Sequence, residues 1–527
     1  MSIRLNPGQD GDLLATVETA GGEYQQIAIA YLASGIPVDV DTTNKLPVVM
    51  DLSTLATHAL QTAANTKLDS IITDLALKAT EVTVATLGTE ATLATMLTES
   101  TFAAYAARFN QVLYDGTIPI DKQDYLQVAL ADSPGVDAFG RQRVSEVRAL
   151  FTSTSIYDKD GAFDEQLGGG GTAAHNPNHS SVDMRTTNSG DSVVRQTIIH
   201  IPYQPGKSQQ AMVTFADLSV VPDVVKRVGL FDTFNGIFLE SNGTNVRAVI
   251  RTETSGSPVD IPVDQASFNI DRLDGSGPSG VLVNWSMIHL LVIDYQWLGV
   301  GRVRMGLSIG GAILYFHEFN HSNLQALVFM VTPHLPVRYE ITQSGANPAG
   351  LDQLCSSVVS ESNFEATGVP QAFVNPTPIG VTNGGWKPLL SIRPKLLFNS
   401  LTNRRTIIPN AFEALGTTTN DQLIIRIVLG GTLTAPTWAI DPGAWSAAEI
   451  DVGATANAGG IVLASGMAGD RVPISLVTDI LRGVALGLDI AGTHPVAPFS
   501  NQVTLECRST AGTASAVASC GWRQLGA

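Results

Sequence analysis

Residues 287–319 read MIHLLVIDYQW, LGVG, RVRMGLSI, GG and AILYFHEF, and this stretch decides the fold class. Three runs rich in β-branched and aromatic residues are parted by two glycine-bearing turns. Runs of that composition joined by glycine turns predict an antiparallel three-strand meander. Arg302 and Arg304 alternate with Val303 and Met305. Because successive side chains on a strand point to opposite faces, the middle strand is expected to carry one charged face and one buried face.

The same texture extends outward in both directions, so the chain is expected to be mainly β. Residues 151–395 read as a large antiparallel β-sandwich-like domain. Residues 396–527 read as a second, C-terminal one, through IIPNAFEA, QLIIRIVLGGTL, IVLASG, VTLECRS and AVASCGWR. Pro376, Pro378, Gly380 and the pair Gly384–Gly385 mark the expected boundary. Residues 114–150 read as a connector.

Upstream the pattern changes. From Leu52 to Leu113 the residues lack proline and carry a narrow apolar stripe, Leu60, Ala64, Leu68, Ile71, Leu75, Ala79 and Val82. Steps of three or four residues place these on one helix face, too thin for a core and suited to burial against identical neighbours. A helical, coiled-coil-like stalk at 51–113 follows, with Ala and Ile seam positions favouring three chains. Thr-rich sequence and Gly88 weaken its second half. Residues 1–50, with LLATVET, QQIAIAYL and LPVVMD between turn signals, read as a small β module placed to dock onto a larger assembly.

Composition narrows the function. The 527 residues include 15% charged residues and 49 glycines, a profile of β-rich shell and fibre proteins. A net charge of −17 argues against nucleic acid or an anionic membrane as the main partner. The start, MSIRLNPGQDGD, lacks the apolar run of a signal peptide, and no apolar run reaches spanning length. Synthesis in a cytoplasm without membrane insertion is the expectation. Cys507 and Cys520 sit in successive strand-like runs that could pair as a hairpin; reduced thiols are expected there.

Several patterns invite chemistry. His317-Glu318-Phe319-Asn320-His321 fits HExxH, which holds zinc when a helix places both histidines on one face. On a strand the two would lie about 13 Å apart at ~3.3 Å per residue, too far for one ion. Asp158, Asp160, Asp164 and Glu165 suggest a calcium loop, but Gly169 stands where the closing Glu belongs. Gly168–Gly171 lacks the Lys-Ser/Thr of a phosphate cradle and reads as a flexible loop. His175 and His179 read as solvated residues of that loop. Gly206-Lys207-Ser208, with Pro202 and Pro205 just ahead of it, reads as an extended segment ending in a turn. Trp285 is assigned to the core, whereas Trp297 and Tyr295 stand as candidate surface-recognition residues. No catalytic residue, metal ligand or cofactor site is assigned, and the chain is expected not to be an enzyme.

From Val136 to about Glu361 the sequence resembles virion structural proteins of tailed bacteriophages. The resemblance is carried by VDAFGRQRVSE (136–146), VRQTIIHIPYQPGKSQ (194–209), GLFDTFNGIFLE (229–240), LDGSGPSG (273–280), IDYQWLGVGRVRMG (293–306), HEFN (317–320) and LPVRYEI (335–341), with LGLDIAGT (486–493) beyond. It implies a β-rich virion component and transfers no catalytic residue. The expected role is a homotrimeric tail or baseplate fibre, in the virion, held to other virion proteins by its N-terminal region and touching a host surface glycan or protein. A head decoration or vertex fibre is the alternative, and a polysaccharide-degrading tailspike the second. The stalk reading predicts that the purified full chain sediments as a trimer at micromolar concentration; a stable monomer would overturn it.

Overall fold

In the computed structural model the described residues are 3–7, 13–18, 24–28, 66, 135–361, 368–417, 422–438, 442–468, 474–476, 481, 483–489, 491–492 and 501–526. The meander forms where it was read. Ile288–Tyr295, Val303–Ile309 and Ala312–Phe319 pair antiparallel in that order. Gly310 and Gly311, both with positive φ, make the second turn. A bulge at Met305/Gly306 leaves Phe316 opposite no partner, with Tyr315 opposite Gly306 and His317 opposite Met305. This shift puts Phe316 in the core while Tyr315 keeps the face opposite to it.

The meander is one end of a sheet continued by Gln209–Ala216, Ala349–Glu361, Ser181–Thr186 and Thr172–Asn176, with Val147–Ser153 beside Ala349–Glu361. A second sheet runs, in spatial order, Val259–Asp264, Val246–Thr252, Gly236–Ser241, Val224–Phe231, Val337–Gln343, Ser192–Thr197 and Phe163–Gly168. All neighbours are antiparallel. Alternate residues of the two sheets, among them Phe215, Leu230, Leu239, Ile293, Phe316 and Tyr339, share one buried apolar core. Burying such alternating faces is what joins two sheets into a sandwich.

A second sandwich lies C-terminal to it. One sheet holds Val369–Thr382, Thr513–Leu525, Thr406–Gly416 and Ile474–Leu476. The other holds Ala448–Asp451, Lys387–Pro394, Val503–Ser509, Leu423–Leu429 and Ile461–Ala468. Trp522, Phe412, Ile425 and Leu505 lie in its core. Strands Val369–Thr382 and Lys387–Pro394 therefore pair with C-terminal strands, not within the large domain of 151–395 expected from sequence. Pro376 and Pro378 do not end a domain. They fall where the register of an edge strand shifts between Asn375 and Ile379, a place that tolerates a missing donor. Cys507 and Cys520 are buried in different sheets of this sandwich and are free thiols, so the hairpin pairing is not formed.

The N-terminal unit is a separate three-strand antiparallel meander, Ile3–Pro7, Leu13–Glu18 and Tyr24–Ala28. The run LPVVMD lies outside the described residues. So does the stalk expected at 51–113, with its stripe Leu60, Ala64, Leu68, Ile71, Leu75, Ala79 and Val82; Thr66, its one described residue, is helical. Among the described residues no helix is long and apolar enough to cross a membrane.

The charged face expected on Val303–Ile309 is charged but not exposed. Arg304 and its cross-strand partner Asp294 are both fully buried and ion-paired. Asp294 also accepts hydrogen bonds from Arg143 at 2.7 Å, Ser208 Oγ at 2.8 Å and Tyr315 Oη at 3.2 Å. The cover is residues 135–143, part of the expected connector, which fold back as a strap. Asp137 closes the strap by accepting the Phe139 and Arg141 amides, and the Val136 carbonyl takes Arg304 at 2.6 Å. Ala138 O accepts Arg302 and Gln296, both at 3.2 Å.

The run Gly168–Gly171 is also not the loose loop expected. It turns tightly between two strands, with Gly171 N donating to Gly168 O, and a Cβ on Gly171 would lie 2.2 Å from Ser192 O. Asp191 holds the turn by accepting the amides of Thr187, Asn188 and Gly170 at 2.9, 2.8 and 2.6 Å. Those three amides, Thr187 foremost, lower its carboxyl from the ordinary 3.8 to about 2.

Two predictions follow from these contacts. Asp294→Ala leaves the Arg304 guanidinium buried without its carboxylate, and urea titration should show a loss of about 3–5 kcal/mol; D294L/R304M should recover much of it. Asp191 contributes stability that is fully present above the ordinary carboxylate range and lost as pH falls from about 4 to about 2. Asp191→Asn should therefore lower Tm at neutral pH and flatten its acid limb across that window.

Candidate functional site

The outer face of the seven-strand sheet leads to the site. Register aligns Asp264, Arg247, Glu240, Arg227 and Glu340 side by side across five strands. Arg227 pairs with both Glu240 and Glu340 at 2.6 Å, and Arg247 also pairs with Glu240. Burial pushes the Glu340 carboxyl up, but Arg338 and Arg227 outweigh it and hold the group below its usual value. One step along, Phe231, Phe238 and Val249 form a small buried apolar patch, with the Arg251 and Arg338 guanidinium groups lying against the rings. Every carboxylate of this row has an arginine beside it or across the strand, so the face is a closed lattice.

At the far end of the same strands the chain turns through Asp232–Asn235, and here the two sandwiches meet. Segment 484–488 lies between them: Leu486 bridges to Ile199 of the first and to Ile407 of the second. A small cleft with about 20 Å³ of cavity is lined there by His200, Asp232, Asn235, Glu253, His334 and Arg404 among others. Junctions between packed units are where concave ligand sites commonly form.

The lining is held from behind. Asp232 Oδ1 accepts the amides of Phe234 and Asn235, each at 2.7 Å, which fixes the turn. Asn235 Oδ1 accepts Glu253 N at 3.3 Å and Val331 N at 3.2 Å. Glu253 pairs with Arg404 across the junction at 3.1 Å. The His200 ring lies between two carbonyl oxygens, His334 O at 3.2 Å and Leu488 O at 3.1 Å. Burial lowers its pKa against the opposing pull of Asp232. His334 Nδ1 accepts the Tyr203 amide at 3.0 Å. Burial, then the neighbouring His200, pushes His334 down to about 4, so the ring is neutral at physiological pH with its proton on Nε2.

The residues singled out by sequence lie elsewhere. Tyr295 is fully buried, stacked on Tyr203, and donates to Pro333 O at 3.1 Å, so it presents nothing to a surface ligand. Trp297 is half-buried, its indole N–H donating to Met330 O at 2.9 Å. Trp285 packs half-buried on the core. The HExxH residues face three ways. His317 Nδ1 accepts the Asn269 amide, Glu318 pairs with Arg302, and His321 bonds Gly301 O at 2.6 Å with its ring stacked on Phe329. Among the described residues no three His, Cys, Asp or Glu side chains gather as a metal site. Asp160 caps the Ala162 amide, Glu165 pairs with Lys159 and Arg195, and His175 lies on a strand against Ser155 O. Lys207 bonds Gln204 while Ser208 turns inward to Asp294. The cleft residues were not assigned from sequence. Their one local signal is Asp232-Thr-Phe-Asn-Gly236, an Asx turn ending in glycine, which names a turn but not what faces it across the junction.

No protein-family model and no curated protein matches the sequence. Among solved structures, the chain is similar in part to the Emp47p carbohydrate recognition domain (TM-score 0.28, 11% identity, 41% of this chain and 98% of that one). It is similar to a carbohydrate esterase of Shiga toxin-encoding bacteriophage phi24B (0.25, 10%, 41% and 100%) and to a glycosyl hydrolase family 16 protein of Mycobacterium smegmatis (0.27, 12%, 40% and 100%). Likeness at this level assigns neither a family nor an activity to this chain.

Proposed function

We propose that the chain is a structural component of a tailed-phage virion, a homotrimeric tail or baseplate fibre protein that docks through its N-terminal region and contacts the host surface. The observation that carries this reading is where the virion-like segments lie. Residues scattered over 136–361 and 486–493 meet at two places. Segments 136–146, 194–209 and 293–306 build the strap network around Asp294. Segments 194–209, 229–240 and 486–493 supply His200, Asp232, Asn235 and Leu488 to the junction cleft. The resembling segments thus meet at the strap of the first sandwich and at the junction between the two, which supports the reading of a part that bears mechanical load. On the outer face of the seven-strand sheet Glu240 and Glu340 are both paired to arginines, which also suits a scaffold.

Labelling the protein on intact particles should mark the tail or baseplate. Capsid labelling would replace this reading with the head-decoration one. Incubation with host polysaccharide should leave chain lengths unchanged, and shortened glycans would establish the tailspike reading instead.

A further inference from the structure

The end of the second sandwich opposite the junction is closed by two turns, joined where Asn383 N donates to Gly512 O at 3.0 Å. Strand Val503–Ser509 runs toward it. Asn501, just ahead of that strand, bonds Gly487 O of the junction segment at 3.1 Å, whereas Arg508 stands near the strand's other end. Seven residues at ~3.3 Å each put roughly 20 Å between them. Leu505 and Cys507 face the core, so Glu506 and Arg508 point to the opposite side of the sheet. There the Trp386 ring lies against two arginines, with the Arg426 and Arg508 guanidinium carbons 4.2 and 4.9 Å from its centre.

One of the two arginines is balanced and the other is not. Arg426 pairs with Glu506 at 2.6 Å, and the second Glu506 oxygen accepts Asn457 Nδ2 at 2.8 Å, so that carboxylate is fully engaged. The Arg508 guanidinium has no carboxylate or carbonyl partner among the described residues, and its Nε is buried without an acceptor. Lys387, next to Trp386 in the chain and opposite Cys507 on the neighbouring strand, has no acid there either. The Trp386 indole N–H likewise has no acceptor among the described residues. Three cations thus meet one carboxylate at the tip of a chain whose net charge is −17. Every open group at this tip is a donor, so the complementary ligand is an anion. An arginine stacked on a ring keeps its N–H edge free, and that edge matches a planar carboxylate through two parallel hydrogen bonds. Stacking also fixes the guanidinium before anything binds, which lowers the ordering cost. The part-exposed Trp386 ring beside the fork offers an apolar surface to the C–H face of a pyranose, which an extended acidic peptide would not need.

We propose that this tip binds the carboxylate of an acidic sugar, with Arg508 as the fork, Lys387 as a second positive charge and the Trp386 indole N–H as a further donor. This deepens the host-contact reading and rests on it. The test titrates the full chain with D-glucuronate, D-galacturonate and N-acetylneuraminate, read by ligand-observed NMR. D-glucose serves as the neutral control and hexaglutamate as the peptide control. A parallel assay measures adsorption of the protein to host cells. At least one acidic sugar should bind where glucose does not, and its affinity should fall as salt is raised. Arg508→Gln should weaken that binding about tenfold with Tm unchanged, and Lys387→Gln should weaken it less. Absence of binding by all three acidic sugars, equal binding of glucose, or affinity that R508Q and K387Q both leave intact would overturn the site. Hexaglutamate binding more tightly than every sugar would overturn the sugar assignment. Host-cell adsorption that survives both variants would overturn the tip's part in host contact while leaving the fibre reading standing. No adsorption by the unaltered protein would overturn the host-contact reading itself.

Discussion

A buried carboxylate facing a buried guanidinium governs the first sandwich. Asp294 and Arg304 stand opposite each other on adjacent strands with no solvent to hydrate either. In that setting each charge is tolerable only with its partner and enough hydrogen bonds to occupy the remaining lone pairs and protons. Arg143, Ser208 and Tyr315 complete the shell, and the strap at 135–143 brings one of them. The requirement ties segments from 136 to 315 to one point, so it specifies where the strap must lie as well as stabilising it.

The opposite sheet solves the same problem differently. Its outer face is a row of alternating acids and arginines set by strand register, with Arg guanidinium groups lying on Phe231 and Phe238. Glycines make the close packing feasible: at Gly236 a Cβ would sit 2.0 Å from the Phe231 Cβ. Where this lattice ends, at the Asp232–Asn235 turn, the second sandwich takes over through Leu486 and the Glu253–Arg404 pair. The cleft is the place where neither lattice nor core fills the space. Asp232, Asn235 and His334 there are held by backbone amides.

Much of this was legible from residue order. The meander at 287–319 formed because β-branched runs and paired glycines act over a few residues, within reach of sequence reasoning. The Arg302/Arg304 alternation was also legible, but its exposure was not, since the strap that covers it comes from more than 150 positions upstream. The domain boundary was misplaced for a related reason. Pro376 and Pro378 look like a break in sequence, and only pairing with Thr513–Leu525 reveals an edge strand with a register shift. Tyr295 suggested a sugar platform because an aromatic near a strand end has the right composition; its burial depends on Tyr203 and Pro333, remote in the chain.

By itself the sequence determined the β class, the short-range turns and the alternation that gives each strand an apolar side. Those are properties of backbone sterics and side-chain period, which neighbours along the chain impose. Tertiary structure alone decided which charged faces are covered, which strands belong to which sandwich, and that His200, Asp232, Asn235, His334 and Arg404 surround one cleft. Those outcomes depend on contacts between residues far apart in the chain, where burial of a charge is decided by what lies across from it.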